Sequence, residues 1–332
     1  MIVNWGVLST ATIGRKAVIP AIQSVENSKF YAIASNNERV QEFASEFDIP
    51  HVYSTYEELL DDPNIQAVYI PLPNTLHKEW VIKAAGKGKH VLCEKPAALT
   101  SKDVEEMLEA CRGNNVLFME AFMYQFHPQH HRVKELIANG EIGEVRNIRS
   151  AFTFNLDFEE NQQNIRLNSE LGGGSMWDVG CYCIHASRFL LDLEPTEVYV
   201  TGKVHPKFHV ETRATGILTF PSGVTASFDS SFEQPMSEWY EVLGTKGSIK
   251  VPSAFRPDKR PNGLGEIVVV GEHGQERIET FGGNPYELQV DHFSECILEN
   301  RQPRYSGLQT IHNIKVIEAS YESLQRGLPV KL

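Results

Sequence analysis

A charged pair follows a buried strand signal in the first third of the chain. The segment His90–Cys93 has the pattern of a buried strand, and Glu94-Lys95-Pro96 comes directly after it. Ligands bind at the carboxyl ends of strands in open parallel sheets, and packing does not need a charged pair there. Because Pro96 fixes the turn that presents Lys95, we predict that Lys95 takes part in the chemistry of a site. The alternative is that Glu94 and Lys95 form a solvated strand end.

A glycine-rich segment in the second half of the chain precedes a carboxylate and a phenol. Three consecutive glycines, Gly172 to Gly174, indicate unusual dihedral angles or the close approach of a ligand. Asp178 and Tyr182 follow them, four residues apart. On a helix this spacing places both groups on one face, which His185 could share. The alternative is that Asp178 caps the helix and Tyr182 packs; for His185 we favour a core position.

The turn after the first strand signal, Ile2–Leu8, can be aligned with the dinucleotide-binding pattern G-x-G-x-x-G. The three glycine positions of that pattern fall on Ser9, Ala11 and Gly14. Small residues there would allow a tight turn and bring the amides of a helix N-terminus close to a pyrophosphate. Dinucleotide binding is therefore one interpretation, and an ordinary turn between strand and helix is the other.

The second strand signal, Phe30–Ala34, ends in Ser35-Asn36-Asn37, with Arg39 close behind. A site specific for NAD usually has a carboxylate at this strand end, where it binds the ribose hydroxyls. Hydroxyl, amide and guanidinium groups suit a 2′-phosphate better. We therefore predict NADP as the cofactor, with NAD as the alternative; Arg39 could also be a solvated helix residue.

The elements that would position these groups change in kind along the chain. Over the first 120 residues, short apolar strand signals alternate with helical patterns, which indicates βαβ units and a parallel sheet. From Val145–Asn155 onward, strand signals follow one another closely, which indicates an antiparallel sheet. We predict an α/β fold: a Rossmann-type doubly wound domain over residues 1–122 and an α+β domain over residues 123–332, with a largely antiparallel, open sheet. The last helix could pack on the first domain.

The bulk composition excludes several classes of function. The net charge is −12 over 332 residues, so nucleic acid and anionic membranes are not expected partners. Neither a membrane span nor a signal peptide is expected, because no apolar run is long enough and a strand begins at once. Five cysteines without a C-x-x-C pair indicate reduced thiols, and we predict a cytoplasmic protein.

The motifs together resemble the glucose-fructose oxidoreductase/inositol dehydrogenase (Gfo/Idh/MocA) family. The resemblance spans almost the whole chain and is carried by Glu94-Lys95-Pro96, by G-G-G-x-x-x-D-x-G-x-Y from Gly172 to Tyr182, and by the segments Trp5–Ala11, Pro73–His77 and Met119–Pro128. With a tyrosine at position 182, the chain resembles the branch of dimeric dihydrodiol dehydrogenases, NADP-linked xylose dehydrogenases and glucose-fructose oxidoreductase. Two departures are that Ser9 and Ala11 replace glycines, and that Gln125 stands where an arginine is common.

The resemblance implies hydride transfer between a nicotinamide and a carbon of a sugar, polyol or diol that bears a hydroxyl or carbonyl. Tyr182 would exchange the hydroxyl proton. A free phenol has a pKa of about 10, and the positive charge of Lys95 would favour the phenolate. Lys95 could instead hydrogen-bond the reacting oxygen, and Asp178 would orient the substrate or hold Lys95 charged. Which of Tyr182 and Lys95 moves the proton stays open at this stage.

The remaining site predictions concern the cofactor, the substrate and metal. Arg166, Trp177 and His185 are candidate substrate contacts, although a surface loop position for Arg166 and core positions for the other two are alternatives. His127, His130 and His131 form no convincing metal motif, and we expect no metal. The predicted cofactor contacts are Ser9, Thr10, Ala11, Ile13, Gly14, Ser35, Asn36, Asn37, Arg39, Pro71, Leu72, Asn74, His77, Glu94 and Lys95.

Two other functions remain open from the sequence. One is a binding protein that senses NADP(H) without turnover, and the other is a sugar–sugar oxidoreductase that keeps its cofactor tightly bound. A homodimer or homotetramer is expected from the resemblance, through an open sheet face that would otherwise expose a large apolar patch.

Overall fold

The computed structural model of the chain describes residues 1–38 and 40–332; the predicted cofactor contact Arg39 lies outside the described residues. The described residues group into two compact units. The first comprises Met1–Met123 and Tyr286–Ile311, and the second comprises Tyr124–Pro285 and His312–Leu332. The expected division had one boundary, at residue 122, so the structure differs from it by adding residues 286–311 to the first unit.

Short strands build the sheet of the first unit, and its central strand β4 is fully buried. Its described strands pair in parallel in the order β3-β2-β1-β4-β5-β6, which is the doubly wound arrangement predicted from the alternating signals. The order reverses at β1, and ligands bind at such switch points, beyond the carboxyl ends of the strands. The strands are β1 (Val3–Leu8), β2 (Ser28–Ala34), β3 (His51–Tyr53), β4 (Ala67–Ile70), β5 (His90–Cys93) and β6 (Phe118–Glu120).

Helices connect these strands, and the start of one differs from the prediction. Serine is a favoured N-cap residue, so the sequence predicts Ser101 as the N-cap of the helix after β5. In the structure Thr100 has the extended cap conformation instead, and its Oγ1 accepts a hydrogen bond from Asp103 N at 3.1 Å. A threonine oxygen satisfies an amide of the first turn as well as a serine oxygen does. The helices are a π-helical turn (Gly14–Val18) continuing into α1 (Ile19–Ser24), α2 (Val40–Glu46), α3 (Tyr56–Asp61), α4 (His77–Gly86) and α5 (Ser101–Gly113).

The helix Pro285–Glu299 accounts for the grouping of residues 286–311 with the first unit. Trp5 Nε1 donates to Ser294 Oγ at 3.2 Å, and the Trp5 ring lies 5.9 Å from the Phe293 ring. Asn27 Nδ2 also donates to Asp291 Oδ1 at 2.7 Å. Contacts of this kind link parts of the chain that are far apart in sequence, so periodicity alone could not predict them.

The second unit contains a larger sheet. Its described strands follow the order β14-β13-β12-β11-β7-β10-β9-β8-β15. The pairs are antiparallel apart from β7 with β10, which run parallel, so the expectation of a largely antiparallel sheet is confirmed. The strands are β7 (Val145–Asn155), β8 (Glu197–Val204), β9 (Glu211–Thr219), β10 (Thr225–Ser231), β11 (Glu233–Gly244), β12 (Ser248–Val251), β13 (Gly265–Val270), β14 (Glu276–Phe281) and β15 (Val330–Lys331).

One face of this sheet is covered by helices, and the alternation of side chains along the strands explains why. In β9, Ala214 and Leu218 are buried while Thr215 and Ile217 between them are exposed. No helix among the described residues is long and apolar enough to cross a membrane. The helices of the second unit are α6 (Pro128–Ala138), a π-helical turn (Met176–Gly180) continuing into α7 (Cys181–Leu191), and most of α9 (Gly307–Arg326), whereas α8 (Pro285–Glu299) groups with the first unit.

Candidate active site

The turn after β1 adopts the geometry of a phosphate-binding loop although serine stands where glycine is usual. Ser9 has a φ of 102°, a value that favours glycine. Its hydroxyl stabilises the turn, because Ser9 Oγ donates to the Pro71 carbonyl oxygen at 3.4 Å and accepts from Ala11 N at 3.3 Å. Helical hydrogen bonding begins at once, since Arg15 N donates to Ala11 O at 3.1 Å.

This turn fits the diphosphate of a dinucleotide. Ser9, Thr10, Ala11 and Ile13 are all partly exposed at the start of the helix. Amides in the first turn of a helix have no intrahelical acceptor and attract anions. Position 14 does not strictly require the glycine of the motif, because a Cβ atom there would make ordinary contacts, 3.7 Å from the Tyr69 ring.

The end of β2 lies beside that turn. Asn37 Nδ2 donates to Thr10 Oγ1 at 3.4 Å, and Ser35 Oγ accepts from Asn37 N at 3.1 Å. Ser35 is buried, whereas Asn36 and Asn37 are exposed. The structure therefore brings these predicted contacts together at the end of β2, where Asn36 and Asn37 are accessible to solvent.

The ends of β4 and β5 carry the other predicted cofactor contacts. Pro71 and Leu72 are buried, and Asn74 begins a short 3-10 turn. His77 is fully buried, with Nε2 2.8 Å from the Leu72 carbonyl oxygen and Nδ1 3.0 Å from the Pro96 carbonyl oxygen. Burial lowers the pKa of His77. His77 thus joins the two loops, and we assign it to holding them in place.

The segment that contains Lys95 is held by two carboxylates. Glu94 Oε1 accepts from the Tyr69 hydroxyl at 2.7 Å, and Glu94 Oε2 accepts from Lys95 N at 3.2 Å. Glu120 is 0% exposed and accepts from Ala97 N at 2.8 Å and from the Tyr305 hydroxyl at 3.1 Å. Glu120 lies in the segment Met119–Pro128 of the family resemblance, but its role could not be predicted from the sequence because Tyr305 lies 185 residues away.

Within the second unit, Asp178 and Arg166 form an ion pair. Arg166 Nε lies 2.6 Å from Asp178 Oδ2, and the two side chains are 39% and 16% exposed. The negative charge of Asp178 raises the pKa of Arg166. Both are predicted site residues, and the structure brings them together: the carboxylate has a fixed orientation and keeps some contact with solvent.

Tyr182 lies among aromatic rings at the start of α7. Its ring centroid is 5.3 Å from that of Phe152, 5.4 Å from Phe255 and 5.8 Å from Tyr124. The residue is 6% exposed. Such packing fixes the ring plane and leaves the phenol oxygen as its only group for polar chemistry.

Trp177 and His185 occupy core positions, which was the alternative to a substrate contact for both residues. Trp177 is 8% exposed, and its ring stacks on that of Tyr321 at 5.4 Å. His185 is 2% exposed, with Nδ1 2.5 Å from the Tyr124 hydroxyl, and burial keeps its pKa well below the usual value. Neither residue is therefore part of the proposed substrate site.

Backbone angles and close contacts within the chain account for the three glycines before Asp178. Gly172 has a φ of 75° and ends a 3-10 turn, Ser169–Leu171. A Cβ atom on Gly173 would lie 2.6 Å from the Arg166 carbonyl oxygen. Gly174 has a φ of 121°, and a Cβ atom there would overlap the Glu211 carboxylate. The unusual dihedral angles were predicted, and the close approach is to other parts of this chain.

The histidines after Phe126 have separate partners. His127 is the N-cap of α6, with its side chain accepting from Gln129 N at 3.5 Å. His130 Nδ1 lies 2.8 Å from the Tyr240 hydroxyl. Helix capping and core packing therefore account for these two side chains.

A doubly wound unit with a phosphate-binding turn, followed by a unit that presents a fixed carboxylate and a packed tyrosine, defines the class of nicotinamide-dependent oxidoreductases. The chain belongs to the Gfo/Idh/MocA family. The family model described as "Oxidoreductase family, NAD-binding Rossmann fold" matches residues 3–122, and the one described as "GFO/IDH/MocA C-terminal domain" matches residues 130–250. The predicted family, fold class and enzyme class are confirmed by these matches.

Characterised relatives match along nearly the full length. The chain is 39% identical over 330 residues to the D-xylose 1-dehydrogenase (NADP(+)) 2 of Haloferax volcanii, covering 99% of each chain. It is 29% identical over 307 residues to the trans-1,2-dihydrobenzene-1,2-diol dehydrogenase of Mus musculus, covering 90% of this chain and 89% of that one.

Solved structures show the same architecture. The aldose-aldose oxidoreductase of Caulobacter crescentus, complexed with glycerol, matches with a TM-score of 0.92 and 29% identity, covering 100% of both chains. A 3-ketoreductase of Actinomadura kijaniata, in complex with NADP and TDP-benzene, matches with a TM-score of 0.91 and 27% identity, covering 98% of both.

Proposed function

We propose that this chain is an NADP(H)-dependent oxidoreductase that interconverts a hydroxyl and a carbonyl group on a sugar, polyol or diol. The observation that carries this proposal is the 39% identity, over 99% of both chains, to an NADP-linked D-xylose dehydrogenase. The fixed carboxylate of Asp178 and the packed phenol of Tyr182 support it, because oxidation of an alcohol needs groups that orient the hydroxyl and exchange its proton.

The chemistry divides between the cofactor and the side chains. The nicotinamide, when bound, supplies or accepts the hydride. We assign Tyr182 to exchanging the proton of the substrate hydroxyl and Lys95 to supporting that exchange through its positive charge. Asp178 would bind a substrate hydroxyl, with Arg166 holding the carboxylate in place through their 2.6 Å contact.

The cofactor proposal rests on the strand end after β2. Asn36 and Asn37 supply exposed amide groups there, and the buried hydroxyl of Ser35 accepts from Asn37 N at 3.1 Å. Such groups accommodate a 2′-phosphate, whereas a carboxylate at this position would repel it. We therefore propose NADP as the preferred cofactor, with NAD bound more weakly.

A sugar–sugar oxidoreductase with a tightly bound cofactor is the second candidate. The observation that favours it is the likeness, at a TM-score of 0.92, to an aldose-aldose oxidoreductase. In such an enzyme one sugar is oxidised while another is reduced, so the cofactor need not leave between half-reactions.

We also propose a homodimer or homotetramer that works in the cytoplasm. Association would use the exposed face of the nine-stranded sheet, where Tyr199 and Ile217 are 39% and 47% exposed. The buried free thiols of the cysteines among the described residues support a reducing compartment.

One pair of measurements tests the function. An absorbance spectrum of the desalted protein is followed by a screen of aldoses, polyols and diols with free NADP⁺, in which the reduced nicotinamide is measured. Reduction by at least one aldose, polyol or diol is expected. A nicotinamide band that survives desalting would favour the second candidate. A protein that carries no nicotinamide band after desalting, binds free NADP⁺ and shows no turnover across the screen would contradict both candidates and support a sensor.

A further inference from the structure

A buried glutamate lies beneath the helix that contains Asp178 and Tyr182. Glu211 is the first residue of β9 and is only 2% exposed. A buried carboxylate is costly unless hydrogen bonds satisfy it, so its donors indicate what it stabilises. Its donors come from two other segments of the second unit.

The first donor is the backbone at the start of the helical segment. Met176 N donates to Glu211 Oε1 at 2.7 Å. Met176 begins the π-helical turn in which Asp178 lies, and this turn continues directly into the helix that begins one residue before Tyr182. A carboxylate at a helix N-terminus satisfies amides that have no intrahelical acceptor and interacts favourably with the helix dipole.

The second donor comes from α9. The Tyr321 hydroxyl donates to Glu211 Oε2 at 2.9 Å, and the ring of Tyr321 stacks on that of Trp177, which precedes Asp178. Tyr321 is 110 residues from Glu211 in sequence. The carboxylate therefore fixes this helix start from two directions.

The glycine before the helix is shaped around the same carboxylate. Gly174 has a φ of 121°, and a Cβ atom there would overlap both Glu211 oxygens and lie 2.7 Å from the Tyr321 hydroxyl oxygen. A side chain at 174 would therefore displace the carboxylate from the helix start.

We infer that Glu211 is a positioning residue, whose carboxylate sets the placement of Asp178 and Tyr182 for catalysis by fixing the start of their helix. This inference rests on the proposed function for the roles of those two residues. A displacement of about 1 Å at a reacting group can lower a rate by about 10²-fold.

Two substitutions separate placement from mere stability. Glu211→Ala removes the acceptor and leaves the Met176 amide and the Tyr321 hydroxyl unpaired. Glu211→Gln keeps an acceptor oxygen for the amide and a polar group for the hydroxyl. Leu218→Ala is the control, because Leu218 is fully buried on the same strand but belongs to neither the helix start nor the proposed catalytic machinery.

In the full-length protein, Glu211→Ala is expected to lower kcat about 10²-fold, while the Kd for NADP⁺ changes less than about threefold. Glu211→Gln should recover kcat to within about fivefold of wild type, and Leu218→Ala should leave kcat within about threefold although it is less stable. A loss of kcat in Glu211→Ala no larger than in Leu218→Ala, alongside an inactive Tyr182→Phe protein, would overturn the inference.

Hydrogen exchange gives a readout that needs no substrate. Amides of residues 172–178 should exchange at least about tenfold faster in Glu211→Ala than in Glu211→Gln, whereas Leu218→Ala should leave this segment protected. Unchanged protection in Glu211→Ala would show that Glu211 does not fix the helix start. If Tyr182→Phe keeps full activity, the proposed catalytic roles fail instead, and the exchange pattern alone decides the role of Glu211.

Discussion

Tyr182 and Lys95 are the side chains on which the proposed proton exchange depends. Tyr182→Phe removes only the hydroxyl and keeps the ring that packs on Phe152 and Phe255, and Lys95→Met keeps most of the side-chain length. Each change should lower kcat/KM by about 10²–10⁴-fold, which is the usual contribution of a general acid or base. Steady-state kinetics on a substrate from the screen measure this effect.

Two controls apply to these variants: the folding of each protein is measured, and the two substitutions are combined in one protein. Both proteins should retain the wild-type Tm and NADP⁺ affinity to within a small margin. If the two residues act as a unit, the double variant should lose little more activity than either single variant. A kcat/KM within about tenfold of wild type in either single variant would contradict its assigned role.

Arg39 carries the prediction about cofactor preference. Arg39→Ala should raise the KM for NADP⁺ by about 10–100-fold, because a charge-assisted hydrogen bond to phosphate contributes about 1.5–3 kcal/mol. The KM for NAD⁺ should change little, since NAD⁺ has no 2′-phosphate. Arg15→Ala is the matched control: Arg15 is exposed and pairs with Glu46 at 2.6 Å. Equal changes in the two KM values would show that Arg39 does not bind the phosphate.

The candidate residues that the sequence revealed are those that stand in local motifs. Lys95, Asp178 and Tyr182 have an unusual polarity or spacing that can be seen within a few neighbours. Glu120 and Glu211 could not be assigned in this way, because their partners Tyr305 and Tyr321 lie 185 and 110 residues away in sequence. Residues that hold a site in place depend on tertiary contacts, which a single sequence does not show.

Among the elements, long periodic segments were predicted well and short edge strands were missed. The strand Val145–Asn155 has the predicted bounds. The strand His51–Tyr53 consists of three half-buried residues, and Val330–Lys331 consists of one buried and one exposed residue. Strands this short show too few alternations for a pattern, and pairing with a neighbour is what forms them.

The helix that contains Asp178 differs from the assumed geometry. The spacing of Asp178 and Tyr182 predicts an α-helix through both residues, but Met176–Gly180 is a π-helical turn. Such turns are rare and often occur at functional sites. Here the contact of Met176 N with Glu211 lies at the first residue of the turn. Residue spacing does not predict this local change of helix type.

The start of that helix gives a prediction about pH. Burial raises the pKa of Glu211 from its usual value to about 7, against the opposing hydrogen bonds from Met176 N and the Tyr321 hydroxyl. A raised pKa in the folded state means that the stabilising contribution is present below about pH 4.5 and is lost as the pH rises through about 7. The wild type should therefore lose stability relative to Glu211→Gln over this window, by on the order of 1–3 kcal/mol.

Denaturant unfolding of both proteins at pH 5 and pH 8, at equal ionic strength, measures this difference. Taking the difference between wild type and Glu211→Gln cancels the other groups that titrate in the same range, such as the histidines. A stability difference that is the same at both pH values would show that Glu211 keeps an ordinary pKa.

The proposed assembly would use the exposed face of the nine-stranded sheet. Its side chains are more polar than the sequence suggested, because Tyr199 and Ile217 alternate with polar residues, and Thr215 Oγ1 donates to Asp229 Oδ1 at 3.0 Å across two strands. A net charge of −12 also opposes association at low salt. A surface on which apolar and polar side chains alternate resembles a polar, hydrated protein interface more than it resembles the apolar interior of a protein.

Ile217→Lys tests whether this face joins the subunits. Ile217 is 47% exposed, and Leu308, at 59% exposed near the start of α9, is a matched control that lies off the sheet. A charge at the centre of an interface typically costs a few kcal/mol, so Ile217→Lys should shift the assembly toward monomer by about 10–100-fold in Kd. Sedimentation velocity across a concentration series measures the shift, and Leu308→Lys should sediment like wild type. An Ile217→Lys protein that keeps the wild-type assembly would place the subunit interface elsewhere on the chain.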